Sequence, residues 1–225
     1  MRARAFKDRL YGQYARIGRA LGNPVRLEIL ELLAQGERTV ESLTRELGLS
    51  TANTSQHLQV LRGAGLVDTR RAGLFIHYRI ADDSIVPLST ALRTVAERRL
   101  ADLGQLVRDE FKDRSDAEAV GMAELLERSR RNDVVVLDTR PANEYRAGHI
   151  PGALSVPVDE LQKHLRRLPK RKEFVAYCRG PYCVYADRAV EILKASGRRA
   201  RRLKEGFPEW KAAGLPVEAD PVGVH

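Results

Sequence analysis

The sequence predicts two domains of different class: a mainly α unit closed by a β-hairpin, followed by an α/β unit with a parallel sheet. Three observations predict this. At 225 residues the chain exceeds an average single domain and suits two of roughly 100 each. From residue 23 to 66 short helical runs with one apolar face follow one another, and two β-rich runs then flank Ala72 and Gly73. Beyond residue 120 helical runs alternate with short apolar runs, the pattern of strands buried on both faces of a parallel sheet.

Each element has a local reason. NPVRLEILELLAQG offers Asn23 as N-cap, Pro24 at the first helical position and Gly36 past the end, with Val25, Ile29, Leu32 and Leu33 as the apolar stripe. TVESLTRELG reads as a short helix from a Thr39 cap to Gly48, with Leu43 and Leu47 inward. LSTANTSQHLQVLRGAG follows after a few residues as a helix capped by Ser50. Two short helices joined by a glycine-containing turn make a helix-turn-helix, and the hairpin in GLVDTRRAGLFIHYRI makes it winged. IVPLSTALRTVAERRLADLGQLV then reads as one long amphipathic helix carrying Leu88, Leu92, Val95 and Leu103. EFKDRSDAEAV lacks periodicity and sets the linker near 115, giving domains 1–114 and 115–225.

The net charge is +9, which favours polyanionic partners without specifying a fold. Residues 1–81 hold 13 Lys and Arg against 7 Asp and Glu, a surplus of +6 in about a third of the chain. On the second short helix no charged residue occurs from 50 to 61. With Leu58 and Leu61 buried, Thr54 and Ser55 lean inward while Asn53, Gln56, Gln59 and Val60 point outward. Exposed amides there suit base edges of the major groove, and Thr51, Ser55, Arg70 and Arg71 suit phosphates. The expected DNA-binding set is Thr51, Asn53, Thr54, Ser55, Gln56, Gln59, Arg70 and Arg71.

ALGNPVRLEILELLAQGE, TVESLTRELGLSTANTSQHLQVLRGAGLV and RRAGLFIHYRI together resemble the ArsR-type winged-helix repressors over about residues 14–110. The resemblance implies a homodimer on a palindromic double-stranded operator, built from terminal helices and released by an inducer. Metal-sensing relatives carry cysteines in the helix matching GERTVESL or acid and histidine clusters in the terminal helix, and neither occurs here. His57 and His77 are isolated and read as core or surface histidines. No metal site and no cofactor are expected, so any signal must be received elsewhere.

In the second half, VVVLD at 134–138 and FVAY at 174–177 read as strands, and DRAVEILKAS as an amphipathic helix. Ligands of such sheets bind beyond the carboxyl ends of the strands. Asp138 and Arg140 follow the first run, while Cys178 ends the second and leads into a helix N-terminus. Main-chain N–H groups and the helix dipole there lower a thiol's pKa and make the thiolate available as nucleophile. Arg179 adds a positive neighbour, and Gly180 and Pro181 permit a tight loop. An ionised, accessible Cys178 is therefore expected. Cys183 is the only other cysteine, either partner to Cys178 in a disulfide or polysulfide bridge or a passive loop residue. The run GRRARRLK, 197–204, reads as a solvated edge.

VVVLDTRPANEYRAGHIPGALSVP, FVAYCRGPYC and RRLKEGFPEWKAAGLPVE resemble a rhodanese domain over about 117–218. The resemblance implies that Cys178 takes sulfane sulfur from thiosulfate, polysulfide or another persulfide, becomes a persulfide and passes the sulfur on. It places Arg179, Gly180, Pro181, Tyr182 and Cys183 in an anion cradle, and Asp138 and Arg140 beside the pocket. His149, Pro151 and Trp210 match structural positions. Related phosphatases have an arginine six residues after the cysteine, and Val184 stands there.

No apolar run approaches the ~18 residues of a membrane span, and MRARAFKDRL is not a secretory signal, so a cytoplasmic protein without membrane contact is expected. The leading expectation is a dimeric repressor whose second domain carries sulfur or redox state to the first. The alternatives are a working thiosulfate sulfurtransferase that regulates its own operon, and a dithiol site for a soft metalloid such as arsenite or for an electrophile.

Overall fold

The computed structural model describes residues 2–111 and 119–220. Its chain divides into two compact units, Met1–Ser89 and Thr90–His225. The linker expected near 115 lies outside the described residues.

The first unit opens with α1 (Arg2–Leu21) and α2 (Pro24–Ala34). Asn23 caps α2 by accepting from the Arg26 N–H at 3.2 Å. Strand β1 (Arg38–Thr39) leads into α3 (Val40–Leu47), which Thr39 caps and Gly48 ends at φ +64°. Helix α4 (Thr51–Gly63) begins from the Ser50 hydroxyl, which accepts from the Asn53 N–H at 3.3 Å. Strands β2 (Val67–Ala72) and β3 (Phe75–Ile80) pair antiparallel through a two-residue turn, with Ala72 opposite Phe75. Gly73 sits there at φ +59°, a conformation that glycine adopts without steric cost. The sheet order is β1-β3-β2. Ile29, Leu33, Leu43, Leu58, Leu61, Leu66, Val67 and Ile85 form the apolar core beneath it.

The long helix expected from Ile85 is instead two: α5 (Ile85–Arg99) and α6 (Ala101–Glu110), separated by Leu100 in an extended conformation. Leu88, Leu92 and Val95 are exposed on α5, at 40%, 41% and 59%. Leu103 is half-buried on α6.

Next come α7 (Met122–Arg130), β4 (Val134–Asp138), α8 (Ala142–Ala147), β5 (Leu154–Ser155), the single turn α9 (Leu161–His164), β6 (Glu173–Tyr177), α10 (Val184–Ala195), β7 (Ala200–Arg202) and α11 (Phe207–Ala212). All pairings in the β5-β4-β6-β7 sheet are parallel. The two runs expected as strands are its central pair, and each is flanked by helices as the wholly apolar pattern requires. One core cluster contains Leu137, Phe174, Ala176, Ala189 and Leu193. The other contains Val136, Val175, Tyr177, Phe207 and Trp210.

The segment 197–204 departs from its expected role as a solvated edge. Ala200–Arg202 is the strand β7, and Arg198 and Arg202 are buried. Arg198 donates to the Leu165 carbonyl at 2.5 Å, and Arg202 faces Asp187 at 3.4 Å. Carbonyl and carboxylate partners hold these cations where sequence polarity alone predicts solvent.

Candidate functional sites

Helix α4 presents one face of the first unit. Asn53, Gln56 and Gln59 are exposed with Thr51, Ala52 and Val60, and Ser55 is half-buried. Thr54 is instead fully buried, four residues before Leu58 on the core stripe, with its hydroxyl donating to the Ser50 carbonyl at 3.1 Å. It fixes the start of α4 and offers nothing to a groove. On the hairpin Arg71 is exposed and donates to the Gly73 carbonyl. Arg70 reaches Glu37 through a forked pair, Nε to Oε2 at 3.0 Å and Nη2 to Oε2 at 2.6 Å. Those hydrogen bonds lower the Glu37 pKa against the opposing effect of burial, and they raise that of Arg70. Glu37 was not among the expected site residues. Its signal in the sequence was weak, because it lies 33 residues from Arg70 and only the β1-β3-β2 sheet brings the two close.

The second unit places its sulfur site at the carboxyl end of β6. Cys178 follows Tyr177, and Cys183 is the N-cap residue of α10. The two are joined in a disulfide with Cα atoms 6.1 Å apart. Cys178 is 1% exposed and packs with Leu137, Val156 and Val158, whereas Cys183 is half-buried at the edge of that cluster. The expectation of an accessible, ionised sulfur at 178 is therefore corrected for this form: the sulfur is covered and bonded. The reason is local. Cys178 continues an apolar strand into the core, and the loop of Arg179, Gly180, Pro181 and Tyr182 folds back over it, with the Cys183 N–H donating to the Gly180 carbonyl at 3.2 Å.

The loop is held from two sides. The Phe207 N–H donates to the Cys178 carbonyl at 3.0 Å. Gly206 passes so close that a Cβ there would lie 2.5 Å from the Arg179 carbonyl carbon and the Gly180 Cα. Arg179 forks onto Glu144, with Nε to Oε1 at 3.0 Å and Nη2 to Oε1 at 2.5 Å. Glu144 is 2% exposed, so the charge expected to activate the cysteine is matched by a buried carboxylate. Glu144 is the second residue that sequence reading missed. A lone acid on the short α8 carries no periodic signal.

Asp138 and Arg140 lie at and just past the end of β4. Both are fully buried and bonded to each other, with Arg140 Nη2 to Asp138 Oδ2 at 2.6 Å. Tyr177 donates its hydroxyl to the same carboxylate at 2.5 Å, and Arg140 donates to the Gly148 carbonyl at 2.7 Å. The guanidinium carbon lies 4.2 Å from the Phe207 ring centre. Burial pulls the Arg140 pKa down, but Asp138 outweighs it and the group stays charged. Burial, reinforced by Asp138, pushes the Tyr177 hydroxyl well above its usual 10.0. This network ties the ends of β4 and β6 together under the loop. Among the described residues no cluster of three His, Cys, Asp or Glu side chains forms a metal-sized group, and no helix is long and apolar enough to cross a membrane.

On the other side of the loop, Tyr182 donates to Glu97 of α5 at 2.7 Å, and its ring lies 6.4 Å from that of Phe111. Arg93 of α5 pairs at 3.0 Å with Glu209, whose other oxygen accepts from the Gly206 N–H. These contacts are internal to Thr90–His225.

A winged helix-turn-helix followed by an α/β domain with a cysteine loop at a strand end defines a transcriptional regulator with an attached rhodanese-like domain. Comparison with known families agrees. Residues 23–69 match the bacterial regulatory proteins of the arsR family, and residues 121–213 match the rhodanese-like domain. The chain is 45% identical over 218 residues to the HTH-type transcriptional regulator Rv0324 of Mycobacterium tuberculosis, covering 96% of both chains. It belongs to the ArsR-type regulators that carry a C-terminal rhodanese-like domain. The chain is also 35% identical over 89 residues to a probable mercury resistance operon repressor of Streptomyces lividans, covering 40% of this chain and 71% of that protein. A solved structure from Mycobacterium bovis, described as the homodimeric winged helix-turn-helix DNA-binding domain of a possible ArsR-family regulator, is 43% identical. It covers 43% of this chain and 89% of that one, with a TM-score of 0.41.

Proposed function

We propose that the protein is a dimeric repressor whose operator affinity is set by the sulfur or redox state of the Cys178–Cys183 loop. One observation carries this reading. The only two cysteines of the chain are bonded to each other in a loop that also grips α5, and α5 begins at Ile85 in the core of the DNA-binding unit. Asn53, Gln56 and Gln59 read base edges in the major groove, while Thr51, Ser55, Arg70 and Arg71 hold phosphates. The exposed stripe of Leu88, Leu92 and Val95 pairs with a second copy. Thiosulfate or polysulfide is the sulfur donor, and Gly180, Pro181 and Tyr182 shape the approach to the two sulfurs.

Making or opening the bridge changes the loop carrying Tyr182 and thereby its hold on Glu97. A coupling of about 1–3 kcal/mol changes affinity roughly 5- to 150-fold. The test measures operator binding at fixed salt by fluorescence anisotropy, using reduced, oxidised and polysulfide-treated protein with Cys178→Ser as control. A shift of at least fivefold that is absent from Cys178→Ser supports the reading, and equal affinities in all states end it.

A sulfurtransferase that turns over requires Cys178 to be open to thiosulfate. Its 1% exposure in the bridged form favours a stored state over rapid turnover. Steady-state conversion of thiosulfate and cyanide separates the two, since fast multiple turnover supports the enzyme.

A further inference from the structure

We propose that Cys183, not Cys178, is the sulfur at which a small thiolate attacks the bridge, so that S-thiolation falls on Cys183 and frees Cys178 as the thiolate. The proposal rests on the thiol chemistry proposed above, but not on any effect on DNA. Displacement at a disulfide proceeds along the S–S axis, with the nucleophile opposite the departing sulfur, and access decides which sulfur is struck. Attack on Cys178 from the side opposite Cys183 has to come through the packed residues around it, and Cys178 is 1% exposed among Leu137, Val156 and Val158. Cys183 is half-buried between the exposed Tyr182 and Val184, at the start of α10, and is the more accessible of the two residues.

In the step itself the thiolate's lone pair forms a new S–S bond to the Cys183 Sγ. The Cys178–Cys183 bond breaks, and its electron pair leaves on Cys178. The small thiol and Cys183 share the mixed disulfide, Cys178 is reduced, and no outside oxidant is needed. The departing thiolate is produced beside the residue that caps α10, where main-chain N–H groups favour negative charge. Hydrosulfide attacking at the same atom leaves the persulfide on Cys183. The rhodanese resemblance implies the opposite placement, with Cys178 as carrier.

The sequence makes the two sulfurs separable. Trypsin cuts after Lys172, Arg179 and Arg188, giving Glu173–Arg179 with Cys178 and Gly180–Arg188 with Cys183. Oxidised full-length protein is exposed briefly to 2-mercaptoethanol, quenched with acidified N-ethylmaleimide, digested and weighed. The expected result is the mercaptoethanol adduct on Gly180–Arg188 and the maleimide on Glu173–Arg179. The reverse distribution, or an even one, overturns the proposal. A second measurement covers an adduct too short-lived to trap: alkylation rates of Cys178→Ser and Cys183→Ser under native conditions. Cys183 in the first variant should react at least tenfold faster than Cys178 in the second, and equal or reversed rates overturn the assignment. If neither sulfur reacts until the protein unfolds, the sulfur-chemistry reading falls along with this one.

Discussion

At the scale of single residues, two partners change what the expected site residues can do. Arg70 was expected on phosphate, but Glu37 already holds it through two nitrogens. An arginine engaged by a carboxylate must exchange one anion for another, and its net contribution to DNA affinity is reduced accordingly. Glu37→Gln should release Arg70 and tighten binding at low salt. It should also steepen the dependence of log affinity on log salt by about one unit, the signature of one added phosphate contact. An unchanged slope across a salt series would mean that Arg70 never meets the backbone. In the second unit the corresponding constraint is Gly206. Its Cβ would strike the Arg179 and Gly180 backbone at 2.5 Å, and no flexible side chain is there to give way. Gly206→Ala should lower the stability of this unit by about 1–3 kcal/mol in urea unfolding, the usual range for overpacking. Because the displaced backbone directly follows Cys178, it should also speed alkylation of that sulfur after reduction.

At the scale of elements, the edge of the parallel sheet is fastened by charge. Glu173 on β6 accepts from Arg128 of α7 at 2.5 Å and from Arg201 of β7 at 2.6 Å. Burial alone raises the Glu173 pKa, but the two arginines outweigh it and the net shift is below the ordinary 4.5. A depressed carboxyl pKa contributes stability that is complete above 4.5 and is lost as pH falls through the folded value. The stability difference between the native chain and Glu173→Gln should therefore hold steady from neutral pH to about 5, then shrink toward zero in more acid solution. Urea midpoints at a series of pH values read it directly, and a difference that persists in acid would assign the effect to packing. This fastening also marks how far the sequence was legible. Apolar periodicity and capping residues disclosed α2, α3, α4, β4 and β6, since those signals are local. Strand β7 was hidden, because its arginines read as a solvated run until the fold brings Glu173 to Arg201 and Asp187 to Arg202. The break at Leu100 was hidden as well, since α5 and α6 carry one continuous apolar pattern. The place of Cys178 after β6 and of the loop before α10 was legible from the apolar run and the helix that follows it. The burial of Cys178, Asp138 and Arg140 was not, because chemistry-bearing residue types give no depth signal in a single sequence.

At the scale of the whole molecule, two functions in one chain matter only if the state of one reaches the other. Charge sets the baseline. A net charge of +9 favours DNA of any sequence, so a test of the proposed signal compares the operator with unrelated DNA at the same salt. The signal itself needs an element with two arrangements that both sites can bias. The proposed route runs through the Tyr182 to Glu97 hydrogen bond, which joins the residue next to Cys183 to the helix that carries the exposed Leu88, Leu92 and Val95 stripe. Glu97→Ala removes the acceptor while leaving both cysteines and every proposed DNA contact in place. The disulfide should form and reduce as before, measured by thiol titration. Operator affinity, however, should become the same in the reduced and oxidised proteins. Retention of the full redox response in this variant would show that the two activities communicate by another route. Loss of operator binding in both states would instead make Glu97 a support of the dimer helix, and sedimentation velocity would then report a smaller species.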